Sequence, residues 1–439
     1  MRNLKALNNG VSIQRSEMTK KSIKENSKAK VEIKTLVPGL VNLIKQEGSV
    51  NYLLVENNKF VLKSEIPGPN GTAYKPKQDL PILYPSEQVL IYYEDDKREE
   101  GLIQDLREFI SRYIELPQPG DDLLLSCWVL HTYLADKCNC TPIIYFYGVK
   151  ETGKSRATEV LGSVAFFAEI STTPTEATMF RGAQYFKTTL FLDELTIWGK
   201  NGHPDVANLV KSRYKRGIKV SRINMNKKGE EQVEYYDVFS PLCISSNEKM
   251  PAPIEDRSLI FLMQKNVKPE VEAEVDQNEA QNLRDRLTAW RAKHLFEDLP
   301  KVNSPARRRL GEITAPLVQA AILAGVNDQI LDELASCIAN IAERRKEMES
   351  VSFEAEIVFA IKELRDPELT QREEFTTKEL TEQVNKERPD NEPLKTRTVG
   401  RVVSSLGFRA ARVGHSQQRG FFLNEKLLDS LLKRYNLED

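Results

Sequence analysis

Residues 142–161, PIIYFYGVKETGKSRATEVL, place an apolar run, a glycine-bracketed turn and a helical pattern in immediate succession. The turn fits G-x-x-x-x-G-K-S, from Gly148 to Ser155. Glycines at both ends let backbone N–H groups curl around an anion, and a helix starting at the lysine adds positive potential. A strand before such a turn and a helix behind it is the context in which this spacing cradles phosphate. The expected phosphate contacts are Gly148, Val149, Lys150, Glu151, Thr152, Gly153, Lys154, Ser155 and Arg156. Lys154 would reach the β- and γ-phosphates of ATP, and the Ser155 hydroxyl would ligate Mg²⁺. The alternative is a coincidental glycine turn, which the preceding strand argues against.

Two further apolar runs end in polar residues suited to the same chemistry. TTLFLDEL, 188–195, ends on Asp193 and Glu194, about 40 residues after Lys154. At the carboxyl edge of a parallel sheet, where ligands bind, Asp193 would hold Mg²⁺ and Glu194 would act as general base toward a water. An acidic pair alone is usually a solvated strand end. SPLCISSNE, 240–248, ends on Asn247, whose amide can hold that water, although asparagine also serves simply as a turn former. Arg257 precedes the apolar run SLIFLM, where a cation can stabilise transition-state charge or merely pair with Asp256.

At 439 residues the chain is too long for one core. Changes in pattern predict an arm over 1–35, a small β-containing domain over 36–96, a helical connector over 97–140, an ATPase core over 141–265, a helical lid or linker over 266–350 and a last unit over 351–439. The formal net charge of −1 hides segregation: residues 211–229 hold eight Lys/Arg and no acid, and residues 394–420 hold six and no acid. That pattern predicts confined polyanion-binding surfaces. Five cysteines make no disulfide framework, and Cys138-Asn139-Cys140 lacks a second ligand pair for zinc. With no apolar run of membrane-spanning length, the expectation is a cytoplasmic protein without a membrane partner.

The last unit reads as a winged helix. A Thr-capped helix (TTKELTEQVN), a Pro-containing turn, a second helix (KTRTVGRVVSSLG) and a hairpin from FRAARV to GFFL follow in order. Lys395, Arg397 and Arg401 fall on the helix that enters a major groove in helix-turn-helix docking. Arg409, Arg412 and Arg419 would charge the wing. Some winged helices bind only protein; 27 residues without an acid favour DNA here.

The order phosphate loop, Asp-Glu strand, Asn strand and Arg resembles the AAA+ class of P-loop ATPases. Residues 209–251, LVKSRYKRGIKVSRINMNKKGEEQVEYYDVFSPLCISSNEKMP, are similar to superfamily 3 and MCM-type helicases and to primase-associated ATPases of viruses, plasmids and integrated elements. The resemblance covers about residues 140–265. It implies a multidomain α/β chain with a parallel-sheet AAA+ core, a helical lid and, at its ends, the β-containing and winged-helix domains. It also implies a hairpin projecting into the channel of a hexameric ring, here with Lys227 and Lys228 at a tip that grips phosphates without reading bases. Glu194, Asn247 and Arg257 take the catalytic roles, ATP and Mg²⁺ the cofactor roles. The implied partners are single-stranded or forked DNA, further copies of the chain and a primase or other replication protein. The implied function is a helicase or translocase of a mobile element or virus; a nucleotide-switched DNA-binding loader without unwinding is the alternative. Two features depart from the family pattern. Only Arg257 stands near the expected arginine, and the lid arginine has three candidates, Arg307, Arg308 and Arg309.

Overall fold

The structure is a computed structural model that describes residues 30–57, 59–94, 101–193, 196–198, 202–365, 373–386, 388 and 393–438. The chain divides into two compact units, 1–338 and 339–439.

The first unit opens with two small sheets. Strands β1 (Val31–Ile33), β2 (Leu40–Gln46), β3 (Ser49–Glu56), β4 (Lys59–Lys63), β5 (Ile66–Pro67) and β6 (Ala73–Lys75) form the sheets β1-β6-β5 and β2-β3-β4. β1 falls inside the stretch read as an arm, where it pairs in parallel with β6. Helices α1 (Val89–Glu94), α2 (Leu102–Tyr113) and α3 (Asp121–Leu134) follow. Apolar residues on nearly every side of α3 match its burial, which spares only Asp122.

The central layer comprises β7 (Ile143–Tyr147), α4 (Lys154–Val164), β8 (Ala168–Ser171), α5 (Glu176–Phe186), β9 (Thr189–Asp193), α6 (Pro204–Arg213), β10 (Lys219–Ile223), β11 (Val233–Asp237), β12 (Leu242–Ser246), α7 (Ala252–Glu255) and β13 (Ser258–Leu262). Five of these strands form a parallel sheet in the order β13-β7-β12-β9-β8. Near-continuous apolar strands such as IIYFY and LFL suit a sheet covered on both faces. This is a mixed α/β, P-loop-like fold. β10 and β11 stand apart as a two-stranded antiparallel hairpin.

Helices α8 (Gln277–Lys293), α9 (Arg308–Leu323) and α10 (Asp328–Ser350) occupy the stretch read as a lid. α8 lies within the first unit. It packs on α1, α4 and β2, and its buried Arg291 donates to the carbonyls of Val41 (2.8 Å) and Leu40 (3.1 Å) and pairs with Asp136 (2.8 Å). The Arg291 guanidinium, buried among these acceptors, ties α8 to β2 and to the end of α3. α9 packs on α3, and α10 runs through the boundary between the units.

The second unit holds α11 (Phe353–Leu364), β14 (Glu374–Thr376), α12 (Thr377–Lys386), α13 (Thr396–Ser405), β15 (Ala410–Val413), β16 (Gln418–Phe422) and α14 (Glu425–Tyr435). Its sheet is antiparallel in the order β14-β16-β15. A capping box starts α12: Glu379 N donates to Thr376 Oγ1 (3.1 Å) while Thr376 N donates to the Glu379 carboxylate (2.9 Å). One core, including Ile357, Phe375, Leu380, Val399, Phe421 and Leu432, joins α11, β14, α12, α13, β16 and α14. Among the described residues no helix is long and apolar enough to cross a membrane.

Candidate functional site

Parallel register brings the three sequence motifs to one edge. Ser245 on β12 stands opposite Phe146 on β7 and Asp193 on β9. The turn after β7, the end of β9 and Asn247 after β12 therefore share the carboxyl edge of adjacent strands, where open α/β sheets bind ligands.

The turn has the local geometry an anion cradle needs. A Cβ on Gly148 would lie 2.5 Å from the Met263 carbonyl oxygen, so only glycine fits against β13's exit. Gly153 has φ +78° and Glu151 φ +62°, left-handed conformations that turn the chain into α4. No acid lies in the first turn of α4, leaving its positive end unopposed. Lys154 is 7% exposed; its amine donates to Val149 O (2.5 Å) and Thr152 Oγ1 (3.2 Å) and so lies within the turn. Ser155 is exposed in that first helical turn, as are Val149 and Lys150 in the loop. Thr152 is buried, and its hydroxyl closes the loop onto Val149 O (2.9 Å). Arg156 is drawn elsewhere, onto Glu159 (3.0 Å) and the Tyr113 ring (5.6 Å). These residues fit a nucleoside triphosphate, and Ser155 and Asp193 would be the residues to hold its magnesium ion. Glu194 lies outside the described residues.

Hydroxyls that sequence reading missed tie this edge together. Ser245 Oγ donates to Lys154 O (3.1 Å) and shares a hydrogen bond with Thr158 Oγ1 (2.6 Å), so β12 is pinned to the start of α4 two residues before Asn247. The available signal was two serines closing an otherwise apolar buried strand, LCISS. Asn247 itself is exposed at the strand's end. Burial, with Asp193 nearby, pushes the Cys243 thiol well up, keeping it neutral.

Arg257 occupies the other edge. Its carbonyl accepts from Ile143 N (3.0 Å), at the start of β7, while Lys154 follows the end of that strand. One strand length, roughly 15 Å, separates them. The Arg257 guanidinium lies 4.8 Å from the Tyr214 ring centre. Arg309 lies on the same ring at 5.2 Å, donates to Tyr214 Oη (2.8 Å) and pairs with Glu312 (2.7 Å). Of the three lid candidates it is thus the one gathered beside Arg257; Arg307 caps α9 and Arg308 turns with φ +54°. A cavity of about 380 Å³ also opens near the amino end of β12, lined by Pro38, Phe166, Phe239, Arg216, Arg291 and Phe296. Its arginines are committed to backbone carbonyls.

The hairpin forms as expected, but its basic tract corrects the sequence reading. Five of the eight cations in residues 211–229 have internal partners. Arg213 is buried against the Thr188 (3.2 Å) and Met179 (3.3 Å) carbonyls. Arg216 donates to Cys138 O (2.8 Å), while Lys215 pairs with Glu312 and Arg222 with Glu176. Lys227, expected as a free grip, pairs with Glu234 (3.1 Å). Hydrogen bonds from Tyr236, Asn224 and Lys227 hold that carboxyl down to about 2. Lys228 is exposed at the tip, followed by Glu230 and Glu231. The reason is tertiary: Glu176 and Glu312, 46 and 97 residues away in sequence, come beside Arg222 and Lys215, and the return strand of the hairpin brings Glu234 to Lys227. The outer face of the hairpin instead carries Ile223, Met225, Val233 and Tyr235, 61%, 82%, 38% and 66% exposed. In the second unit, by contrast, Lys395, Arg397, Arg401, Arg409, Arg412 and Arg419 are all exposed. α13 buries Val399 and Val403, leaving Arg397 and Arg401 outward.

No family model matches the chain, and no curated protein matches it. Solved structures do. The active helicase Cch of a type IV SCCmec element is 12% identical, with 92% of this chain and 80% of that one covered at a TM-score of 0.39. A full-length MCM homolog from Methanopyrus kandleri is 12% identical over 69% of this chain and 75% of that one, TM-score 0.36. The C-terminal region of NrS-1 is 12% identical over 87% and 96%, also at 0.36. Likeness at this level establishes no family, and the functional reading rests on the chain's own geometry.

Proposed function

We propose that the chain is an ATP-hydrolysing DNA motor of the AAA+ class, a replicative helicase or translocase of a mobile element or virus that works as a hexameric ring. The observation that carries this reading is the strand order. It seats the Asn247 strand between the phosphate-loop strand and the Asp193 strand, so that all three motifs open on one edge. Ser155 and Asp193 would hold magnesium, which would supply charge neutralisation for the phosphates. Lys154 and the N–H groups of the Gly148–Ser155 turn orient the phosphates. Glu194 takes a proton from the attacking water, and Asn247 holds that water in line. Arg257, at the far edge from its own Lys154, would serve a neighbouring copy's nucleotide.

DNA contact is supported by exposed Lys228 and the apolar, aromatic outer face of the hairpin, a combination that tracks single strands through charge and stacking. In the second unit, read as a winged helix, the outward cations of α13 and the β15–β16 hairpin support binding to duplex phosphates. The internal pairing of Lys227 favours a second reading, a nucleotide-switched DNA-binding loader that does not separate strands.

The test is ATP hydrolysis with and without single-stranded DNA, together with strand displacement. Hydrolysis should rise with DNA, and Lys154→Ala should lower it by about 10²–10³-fold, as loss of a preorganised donor does. DNA-stimulated hydrolysis without displacement would select the loader. Hydrolysis indifferent to DNA would defeat both readings.

A further inference from the structure

One carboxylate at the site has no role assigned from the sequence. Glu248 follows Asn247, and its Oε2 accepts two backbone hydrogen bonds, from Ile197 N (2.9 Å) and Trp198 N (3.0 Å). Its own N–H donates to Ser246 Oγ (3.0 Å), and its carbonyl accepts from Tyr145 Oη (2.6 Å). The Trp198 indole N–H closes the network on Tyr145 Oη (3.4 Å). Ile197 and Trp198 are 1% and 7% exposed. The network therefore joins Tyr145, in the middle of β7, to the chain that leaves β9 after Asp193 and the chain that leaves β12 at Asn247.

We propose that Glu248 is a positioning residue for hydrolysis, holding the segment that leaves β9 at a set distance from the end of β12. The proposal rests on the ATPase reading above. Neither Ile197 N nor Trp198 N belongs to a helix or strand, and both residues are buried, so each donor needs a partner in place of water. An ionised acceptor gives the stronger kind of hydrogen bond, and two donors converging on one oxygen fix direction as well as distance. The β9–β12 ladder stops at Asp193 opposite Ser245. Beyond that pair the backbone ladder no longer sets the spacing, and the Glu248 carboxylate takes over. Asp193, Asn247 and, in sequence, Glu194 all lie on the two stretches it spans. Glu248 acts through its hydrogen bonds to these backbones, not on the nucleotide.

The chemistry separates positioning from proton transfer. A glutamine amide oxygen can accept the same two N–H bonds but cannot serve as a base. In the full-length protein, Glu248→Ala should lower kcat by roughly 10²-fold, the scale of an ångström misplacement. Its KM for ATP should stay within about threefold, because the loss is confined to the transition state. Hydrogen exchange should accelerate in the peptide that carries Ile197 and Trp198. Glu248→Gln should restore both kcat and slow exchange. Wild-type kcat in Glu248→Ala would overturn the proposal. So would a Glu248→Gln protein with slow exchange and no activity, since that outcome makes the charge itself the requirement. If Glu248→Ala does not fold, Tyr145→Phe decides: a several-fold fall in kcat at unchanged KM is expected, and no change refutes the network. If the wild-type protein hydrolyses no ATP, the ATPase reading fails separately. The exchange rates of the two variants then decide the clamp alone, and unchanged exchange in Glu248→Ala refutes it.

Discussion

His131 lies on α3 with no exposure, its Nε2 against Thr141 Oγ1 (2.9 Å) and its Nδ1 against Cys138 Sγ (3.5 Å). Burial pulls the imidazole down to about 3, so it is neutral in the folded chain at ordinary pH. Unfolded histidine titrates near 6.5, so between that value and about 3 the unfolded chain binds the extra proton. Stability present above pH 6.5 should thus be lost progressively as pH falls toward 3. Denaturant midpoints between pH 7 and 5 should show this fall, and His131→Gln should flatten it; an equally steep profile in the variant would refute the assignment. Nothing in LSCWVLHTYLA announced the effect: a histidine in an apolar helix reads the same whether buried or at a helix edge.

The hairpin shows how far periodicity alone can be followed. Alternation in KVSRI and VEYYD and an Asn/Gly tip predict two strands, and β10 and β11 pair from Lys219↔Asp237 to Ile223↔Val233. What alternation could not supply is the partner of each charge. Lys227 is already shared with Glu234, whereas Lys228 is exposed and forms no ion pair among the described residues. Lys228→Ala should therefore weaken single-stranded DNA binding more than Lys227→Ala, and it should reduce the salt slope of log K by about one, as removal of one phosphate contact does. A larger effect from Lys227 would mean that the Glu234 pair opens on DNA. In the same way, the basic run 211–229 looked like a surface, yet Arg213 is 1% exposed with its guanidinium on backbone carbonyls. In α13 the helical period was enough, because Val399 and Val403 alone turn inward and the arginines are left outside.

At the scale of the whole molecule, the distance between Lys154 and Arg257 has a consequence for assembly. They stand at opposite ends of adjacent parallel strands, so Arg257 lies away from the turn that holds its own Lys154. If the chain works as a ring, Lys154→Ala and Arg257→Ala proteins, each inactive alone, should recover activity when mixed. With equal amounts and free exchange, roughly a quarter of interfaces would pair an intact phosphate loop with an intact arginine in a head-to-tail ring. Steady-state hydrolysis of the mixture measures this directly; a mixture as inactive as its components would exclude Arg257 from the neighbouring site. Tyr214 supports the arrangement, since its buried ring gathers Arg257 and Arg309 at that edge.

The sequence by itself determined the glycine-bracketed turn from Gly148 to Ser155, the runs that become parallel strands and the hairpin between them. Each depends on spacing within about ten residues, and local periodicity and glycine geometry act at that range. Only the tertiary structure decided the order of the strands, the burial of α8, the internal pairing of the 211–229 cations and the grip of Glu248 on Ile197 and Trp198. Arg222 meets Glu176 from 46 residues away, and Arg291 meets the Val41 carbonyl from 250. A buried charge is specified by whatever acceptors the fold brings to it, and no window along the chain contains them.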